Sequence, residues 1–374
     1  MVAKTLRILI FILFPSLVLG QSIELSISPE TSNNNPSTFT LQNGKVTITE
    51  TNIRFAKSGN SVGTYKAFGI SPDKTLVGVL KRKSGNSDML LYDSEGERLN
   101  TYSGSQIGAN DPSLAIFPFN NGSLLLRENI TNFTFYDTLG EIKKSVSNSS
   151  GSEDGETISE VVMSRNAKTI VIYTPKIKRD GQLGSQAQAM NTSGEFNNIF
   201  FSKNRYLKNV SISSDGNMVA AITAKSGTDD RVLIMDKFGN ELNTISTDEN
   251  LKGASLSADL GYLTLYSGRR VMVYNTLSGE RLGATSVRTP LFLADYFPED
   301  NILLMLAGDY SEDVGMMRGA EFQAVDLEKR EITSQEFSGT LGFSKALMSR
   351  FVRTSGDTYR LEGANKQIEI ETNF

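Results

Sequence analysis

The sequence predicts an all-β fold, a single β-propeller of four-stranded blades, on three observations. A strand–turn–strand segment recurs as "FGISPDKTLVGVL" at 68–80, "VSISSDGNMVAAI" at 210–222, "ASLSADLGYLTLY" at 254–266 and "ADYFPEDNILLML" at 294–306. A second hairpin of a different kind follows each copy, as in "LLYDSEGERL" at 90–99 and "VMVYNTLSGERL" at 271–282. The turns of the first hairpin, at Asp73, Asn121, Asn166, Asp215, Asp259 and Glu299, are spaced 40 to 49 residues apart. Four strands at that period are the mark of propeller blades.

The chain opens on a segment that does not belong to the repeat. Lys4 and Arg7 precede an apolar run, Ile8 to Leu19, which is broken by Pro15. Twelve apolar residues are too few to span a bilayer, which takes about 20. Val18 and Gly20 are small enough for a signal-peptidase site, so 1–20 reads as a secretory signal and Gln21 as the new N-terminus. Residues 21–37, with "TSNNNPS", read as a polar lead-in.

Each first hairpin then follows one logic. An apolar strand meets a Ser-X-Asp turn, in which proline pre-sets φ and the Ser or Asp side chain bonds the turn backbone. The strand after the turn, "TLVGVL" or "MVAAI", is apolar almost throughout and therefore buried on both faces. Weaker copies lie at 116–126 and 161–172. In the second hairpin an apolar strand ends at Asp or Asn, a Gly supplies the positive-φ residue, and a charged residue starts a more polar return strand. Further examples are "FTFYDTLGEI" at 133–142, "VLIMDKFGNEL" at 232–242, the partial "AMNTSGEF" at 189–196 and the looser "FQAVDLEKREI" at 322–332. The four strands grade from buried to exposed, which makes the fourth an outer edge.

Six clear blades result, at about 66–112, 113–158, 159–206, 207–250, 251–289 and 290–341. The propeller as a whole covers 38–374, and the favoured count is seven, with a closing blade sewn from 342–374 plus 38–65. Eight is the alternative, slightly supported by "SISPET" at 26–31, which echoes the blade turn. Only closure of the ring would protect the faces of the first and last blades.

The Ser-Pro-Asp turns at 71–73 resemble those of the TolB-type, WD40-like bacterial propeller repeats. "YDSEGE", "YDTLGE" and "NTLSGE" resemble the Asp-X-X-Thr-Gly-Glu hairpins of related bacterial propellers. The resemblance covers 66–341 and is one of scaffold only; no Trp-Asp dipeptide occurs, and no catalytic motif comes with it.

Composition narrows the chemistry. The chain has no Cys, His or Trp. Without His it lacks the usual general base and any Ser–His or Cys–His nucleophile. Without Cys or His, zinc, haem and iron–sulfur groups lose their ordinary ligands, and no cofactor is expected. After loss of Lys4 and Arg7, 36 basic residues face 42 acidic ones, without a basic run. Such a chain suits neither nucleic acid nor an anionic membrane surface. No segment after the signal is long and apolar enough for a membrane span, and a monomer is the default.

Three loops are candidates for contact. "GSEDGET" at 151–157 clusters Glu153, Asp154 and Glu156 but lacks the spacing of a calcium loop. Blades three and six of the six clear ones carry enlarged loops, roughly 174–188 and 307–321, which stand nearly opposite in a ring of seven. The first holds Lys176, Lys178 and Arg179; the second holds Asp309, Tyr310, Glu312, Asp313, Met316 and Met317. Long loops on a rigid repeat scaffold are where binding is placed. The reading is therefore an exported, secreted or periplasmic propeller that binds an envelope protein, a peptide or a glycan. The competing reading is a carboxylate-based hydrolase or lyase acting on glycans. The absence of Trp, the usual sugar platform, counts against it.

The signal reading is checked by the intact mass of exported protein, expected to start at Gln21. A membrane-bound form that retains Met1 through Gly20 would refute it.

Overall fold

The computed structural model describes residues 22–27, 37–49, 51–82, 87–103, 113–147, 157–179, 182–225, 229–311, 315–343, 349–366 and 368–373. They form eight antiparallel sheets, one more than the favoured count, seven of four strands and one of four with a short fifth strand beside it. Blade 1 spans 37–63, blade 2 65–103, blade 3 115–147, blade 4 160–202, blade 5 206–247, blade 6 251–286 and blade 7 291–337. Blade 8 takes its three inner strands from Arg350–Ser355, Thr358–Glu362 and Ile368–Asn373. Its outermost strand is Ser22–Ile27, which pairs antiparallel with Ile368–Asn373.

Two expectations are thus corrected. Residues 38–65 and 342–374 do not share a blade, because the first stretch already contains four short strands of its own. The lead-in at 21–37 is not uniformly structureless, because "SIELSI" supplies the strand that blade 8 lacks. The expected signal at 1–20 lies outside the described residues.

The Ser-X-Asp turn has a specific hydrogen-bond circuit. The buried Ser71 hydroxyl donates to Asp73 Oδ1 at 2.7 Å and accepts the Leu76 amide at 3.0 Å. Asp73 Oδ1 also accepts the Thr75 amide at 3.0 Å. Ser213 with Asp215, Ser257 with Asp259 and Ser164 with Asn166 repeat the circuit. The serine thus satisfies the first amide of the buried second strand, which would otherwise lack a partner.

The second hairpin is capped by its Asp or Asn. Asp93 Oδ1 accepts the amides of Glu95 and Glu97, both at 2.9 Å. Asp137, Asn191, Asp236, Asn275 and Asp326 cap their turns in the same way. Gly96, Gly140, Gly194, Gly239 and Gly279 follow at φ between 70° and 92°. Blade 7 has the exposed Arg330 in the corresponding turn, at φ 59°.

Between successive blades lie seven apolar clusters, one for each junction from blade 1–2 to blade 7–8. Most blades feed two of them, so their middle strands are buried on both faces, as in Met218–Ala224. Among the described residues no such cluster joins blade 8 to blade 1. The strands of those two blades alternate instead. In blade 1, Phe39, Val46, Ile48, Ile53 and Phe55 are buried against blade 2, while Thr40, Lys45 and Arg54 are exposed. In blade 8, Phe351, Tyr359, Leu361, Ile368 and Ile370 are buried against blade 7. Its opposite face carries Arg350, Arg360, Glu362, Glu369 and Glu371, in the register that joins Arg350 to Glu362 and Arg360 to Glu369. The faces that blades 8 and 1 turn towards each other are therefore polar, unlike those of the other seven junctions.

A non-glycine residue in the left-handed region costs about 1–2 kcal/mol. Arg330→Gly is expected to raise stability by roughly 1 kcal/mol in urea unfolding. A loss of stability would mean that the Arg330 side chain makes a contact worth more than the strain.

Candidate functional site

The enlarged loops are hairpin extensions. In blade 4 the second and third strands, Thr169–Arg179 and Gln182–Asn191, run 11 and 10 residues. In blade 7 the same strands, Ile302–Ser311 and Met316–Asp326, run 10 and 11. Elsewhere these strands have four to seven residues. At a rise of about 3.3 Å per residue, the extra length carries each hairpin roughly 10 Å beyond its neighbours. Both leave the ring on the face opposite the Ser-X-Asp turns, because strand direction alternates within a meander. In the ring of eight they stand three blades apart on one side and five on the other, not opposite.

The base of each hairpin is fixed. In blade 4 the Lys176 amide donates to Thr157 Oγ1 at 3.0 Å, and the Thr157 amide donates back to the Lys176 carbonyl at 3.1 Å. The Ser159 and Thr174 hydroxyls bond at 2.6 Å, and Ser185 donates to the Arg205 carbonyl at 2.6 Å. The blade 7 hairpin pairs with Leu341–Gly342, which leads into blade 8. Tyr310 packs its ring 4.6 Å from that of Phe292, and Phe292 lies 4.5 Å from Phe343.

Lys176 and Asp309 are exposed, and Arg318, opposite Asp309 in the register, is exposed with it. Tyr310 and Met316 are half-buried. Met317 was expected as an apolar contact on the loop surface, but its exposure is 0%, within the core shared by blades 7 and 8. Strand alternation turns its side chain inward once the loop is a hairpin. The side chains of Lys178 and Arg179, and all of Glu312 and Asp313, lie outside the described residues, as do Glu153, Asp154 and Glu156. Among the described residues no three carboxylates come together as a metal site.

A cavity of about 380 Å³ occupies the centre of the ring, lined by the inner strands of blades 4 to 8. Its lining includes a buried carboxyl group, Asp295, on the inner strand of blade 7. The Ser255 hydroxyl of blade 6 donates to one carboxylate oxygen, and the Phe351 amide of blade 8 donates to the other at 2.7 Å. One carboxylate thus ties three inner strands. Burial pushes its carboxyl up from the usual range, against the Ser255 and Phe351 hydrogen bonds and the nearby Arg350 charge. Beside it, burial and the Asp295 charge raise the Tyr266 phenol. Gly253 makes room for that phenol: a Cβ there would collide with the Tyr266 oxygen. Glu299, the other carboxylate lining the cavity, belongs to the turn after the Leu291–Phe297 strand, at the end where Arg165, Ser214 and Ala258 stand.

A further surface escaped the sequence reading. The outer strands carry exposed apolar residues at matching places: Leu99, Ile142, Leu242, Leu282 and Ile332. Three turn tips add Leu139, Phe238 and Leu277, exposed at 78%, 60% and 67%. The signal was present in "GERL", "GEI", "GNEL", "GERL" and "REI", where an apolar residue follows the charged start of each edge strand. Read as generally polar, those strands concealed it.

No protein-family model matches the chain, and no curated protein matches it. Solved structures do. The crystal structure of BamB from Moraxella catarrhalis is 12% identical, covering 95% of this chain and 100% of that one, with a TM-score of 0.51. The structure of the Dos1 propeller is 11% identical, covering 94% and 95%, with a TM-score of 0.54. At such identities the likeness is one of fold. Among the described residues no helix is long and apolar enough to cross a membrane.

A carboxyl with a raised value keeps its proton in the folded chain where the unfolded chain has lost it. The stability it contributes is complete below the unfolded value near 3.8 and is lost as pH rises through the folded value. An asparagine at 295 can still accept from Phe351, and its amide can donate to Ser255. Asp295→Asn should therefore flatten the fall in urea midpoint as pH rises above about 4. Asp295→Ala, which orphans the buried Phe351 amide, should cost about 1–3 kcal/mol at every pH. A constant offset for Asp295→Asn across that range would show that the carboxylate is charged when folded. The chain is built on the β-propeller scaffold that its solved structural neighbours share.

Proposed function

We propose that this propeller is an exported binding module, delivered by cleavage after Gly20, whose partner docks on the face that carries the two long hairpins. The observation that carries the reading is their departure from the repeat. Blades 4 and 7 alone, among the described residues, extend their middle strands to 10 or 11 residues, and both do so on one face. Blades 2, 5 and 6 bury their cores with six or seven residues in these strands, so the repeat does not demand the added length, although Met317 of blade 7 uses part of it to pack against blade 8. Binding is commonly placed on extensions held by a rigid scaffold.

The chemistry at the hairpins suits a partner of mixed charge. Lys176, Lys178 and Arg179 offer cations on one hairpin, and Asp309, Glu312 and Asp313 offer carboxylates on the other, with Tyr310 and Met316 beside them. An envelope protein, a peptide or a glycan fits that pattern. The cations of one hairpin and the mixed charges of the other, where Arg318 stands opposite Asp309, would set the orientation of the partner and the rate of encounter more than the affinity.

The test is site-specific photo-crosslinking in cells that export the protein. A benzophenone amino acid at position 176 or 309 should give a common adduct, identified by mass spectrometry. The same probe at Lys168 or Glu299, on the Ser-X-Asp face, should not give it. Equal adducts from both faces, or adducts from 168 and 299 alone, would move the binding surface elsewhere.

A further inference from the structure

On the shorter side of the ring the two long hairpins enclose a floor made by blades 5 and 6. That floor consists of the turns between the second and third strands of these blades and of the loops at 202–206, 247–251 and 287–291. Between 203 and 288 the chain has eleven Lys or Arg and nine Asp or Glu, and strand direction sorts them by face. Nine of the cations and four of the carboxylates fall on the hairpin face. The Ser-X-Asp face of the same blades has two cations, Lys237 and Arg281, and five carboxylates. A chain of net charge −4 thus gathers a positive surplus between its hairpins.

The carboxylates on the floor do not cancel it. Arg205 Nη1 lies 3.0 Å from Asp229 Oδ2, Lys208 Nζ lies 2.6 Å from Asp230 Oδ2, and Arg270 pairs with Glu249. The Arg205 hydrogen bond, with the Arg231 and Lys225 charges, holds the Asp229 carboxyl below the usual range. Asp248 is left to face Lys203, Lys225, Arg231, Lys252, Arg269 and Arg288, all of them exposed. Like charges gathered on one surface repel, and an anionic partner relieves the repulsion.

The surroundings select among anions. A nucleic acid or a sulfated glycan carries charge along its whole length and needs a continuous basic track. This floor ends at the blade 7 hairpin on Asp309 and Glu321, the latter accepting from the Thr289 hydroxyl at 3.2 Å. At the blade 4 end, Phe201 and Tyr206 flank Lys203 and are exposed at 41% and 37%. A polypeptide can match that sequence of surfaces, with apolar side chains at one end, acids in the middle and a basic residue at the other. We propose that the floor between the hairpins seats an acidic, aromatic-bearing segment of a protein partner. The inference rests on the hairpin face as the binding surface and adds the chemistry of what binds there.

The probe is a labelled peptide of Asp, Glu and Gly with one Phe, titrated with the full exported chain in fluorescence anisotropy. Binding should fall steeply as ionic strength rises to about 1 M, where the screening length is about 3 Å. The same peptide with Asn and Gln in place of its acids should not bind. The combined variant Lys252→Glu, Arg269→Glu, Arg288→Glu should bind the acidic peptide about tenfold or more weakly. The combined variant Lys168→Glu, Lys237→Glu, Arg281→Glu, with the same change in net charge on the opposite face, should bind it unchanged. Urea unfolding checks that both stay folded, and Arg269→Glu alone should act in the same direction as the first. Equal loss in the two combined variants, or heparin or oligothymidylate binding more tightly than the peptide, would overturn the proposal. In exporting cells, the photo-adduct from position 176 or 309 should map to an Asp- and Glu-rich segment of its partner and disappear in the floor variant. An adduct that persists in that variant would leave the hairpin face standing and sink the acidic segment. No adduct from 176 or 309 in the unaltered protein would sink both.

Discussion

A four-stranded sheet that is apolar on both faces cannot stand in water, and that constraint organises the molecule. The middle strands of blades 2 to 7 supply the apolar surface; Val219, Ala220, Ala221 and Ile222 of blade 5, for example, are all at 0% exposure. Each face must find another sheet, so blades stack, and the twist between stacked sheets curves the stack into a ring. Blades 1 and 8 end the stack with one apolar and one polar face each. The ring thus has seven apolar junctions and one polar one, and it is closed where the N-terminal strand Ser22–Ile27 completes blade 8.

The turns serve the same constraint. A strand buried on both faces can hydrogen-bond only within its sheet, and its first amide falls where the turn has consumed the ladder. The buried hydroxyls of Ser71, Ser164, Ser213 and Ser257 take that amide and pass the bond on to an Asp or Asn. Asp295 applies the same economy at the ring's centre. A buried carboxyl group is costly unless its oxygens are hydrogen-bonded, and here one is bonded to Ser255 of blade 6 and the other to the Phe351 amide of blade 8. The inner strands of blades 6, 7 and 8 are thereby fixed to one another more tightly than apolar contact alone would fix them.

Much of this was legible in the sequence because the repeat places chemically distinctive residues at fixed intervals. Ser-X-Asp turns, Asp-capped hairpins and continuous apolar strands each have a single structural meaning here. The count failed at the two ends, and for one reason. Blade 1 alternates apolar and polar residues in strands of only three or four, so "TFTLQNGKVTITETNIRF" looked like part of a blade. The strand Ser22–Ile27 looked like a lead-in because its partner lies at the far end of the chain. The hairpin sites were legible as excess length but not as strand. The two readings differ in consequence, because alternation buries Met317 and exposes Asp309 and Arg318. The apolar residues of the outer strands were visible letter by letter and were missed because a class average was applied to each strand.

In a nearest-neighbour array, a unit's resistance to opening is set by its own contacts and its junctions. Blade 8 has one apolar junction, but the pairing of Ser22–Ile27 with Ile368–Asn373 protects its outer edge, and Asp295 ties its inner strand to blade 7. Blade 1 also has one apolar junction, and no strand in it exceeds four residues. Its links to blade 2 include the Gln42 amide to the Lys74 carbonyl at 3.0 Å and the close fit of Gly96 against Phe55. Blade 1 is therefore the least secured unit of the ring. It lies beside the one junction without an apolar core, and the side chain that reaches past it, Lys74, extends from the same turn that hydrogen-bonds its backbone. The blades that carry the long hairpins, by contrast, are each held by two apolar junctions.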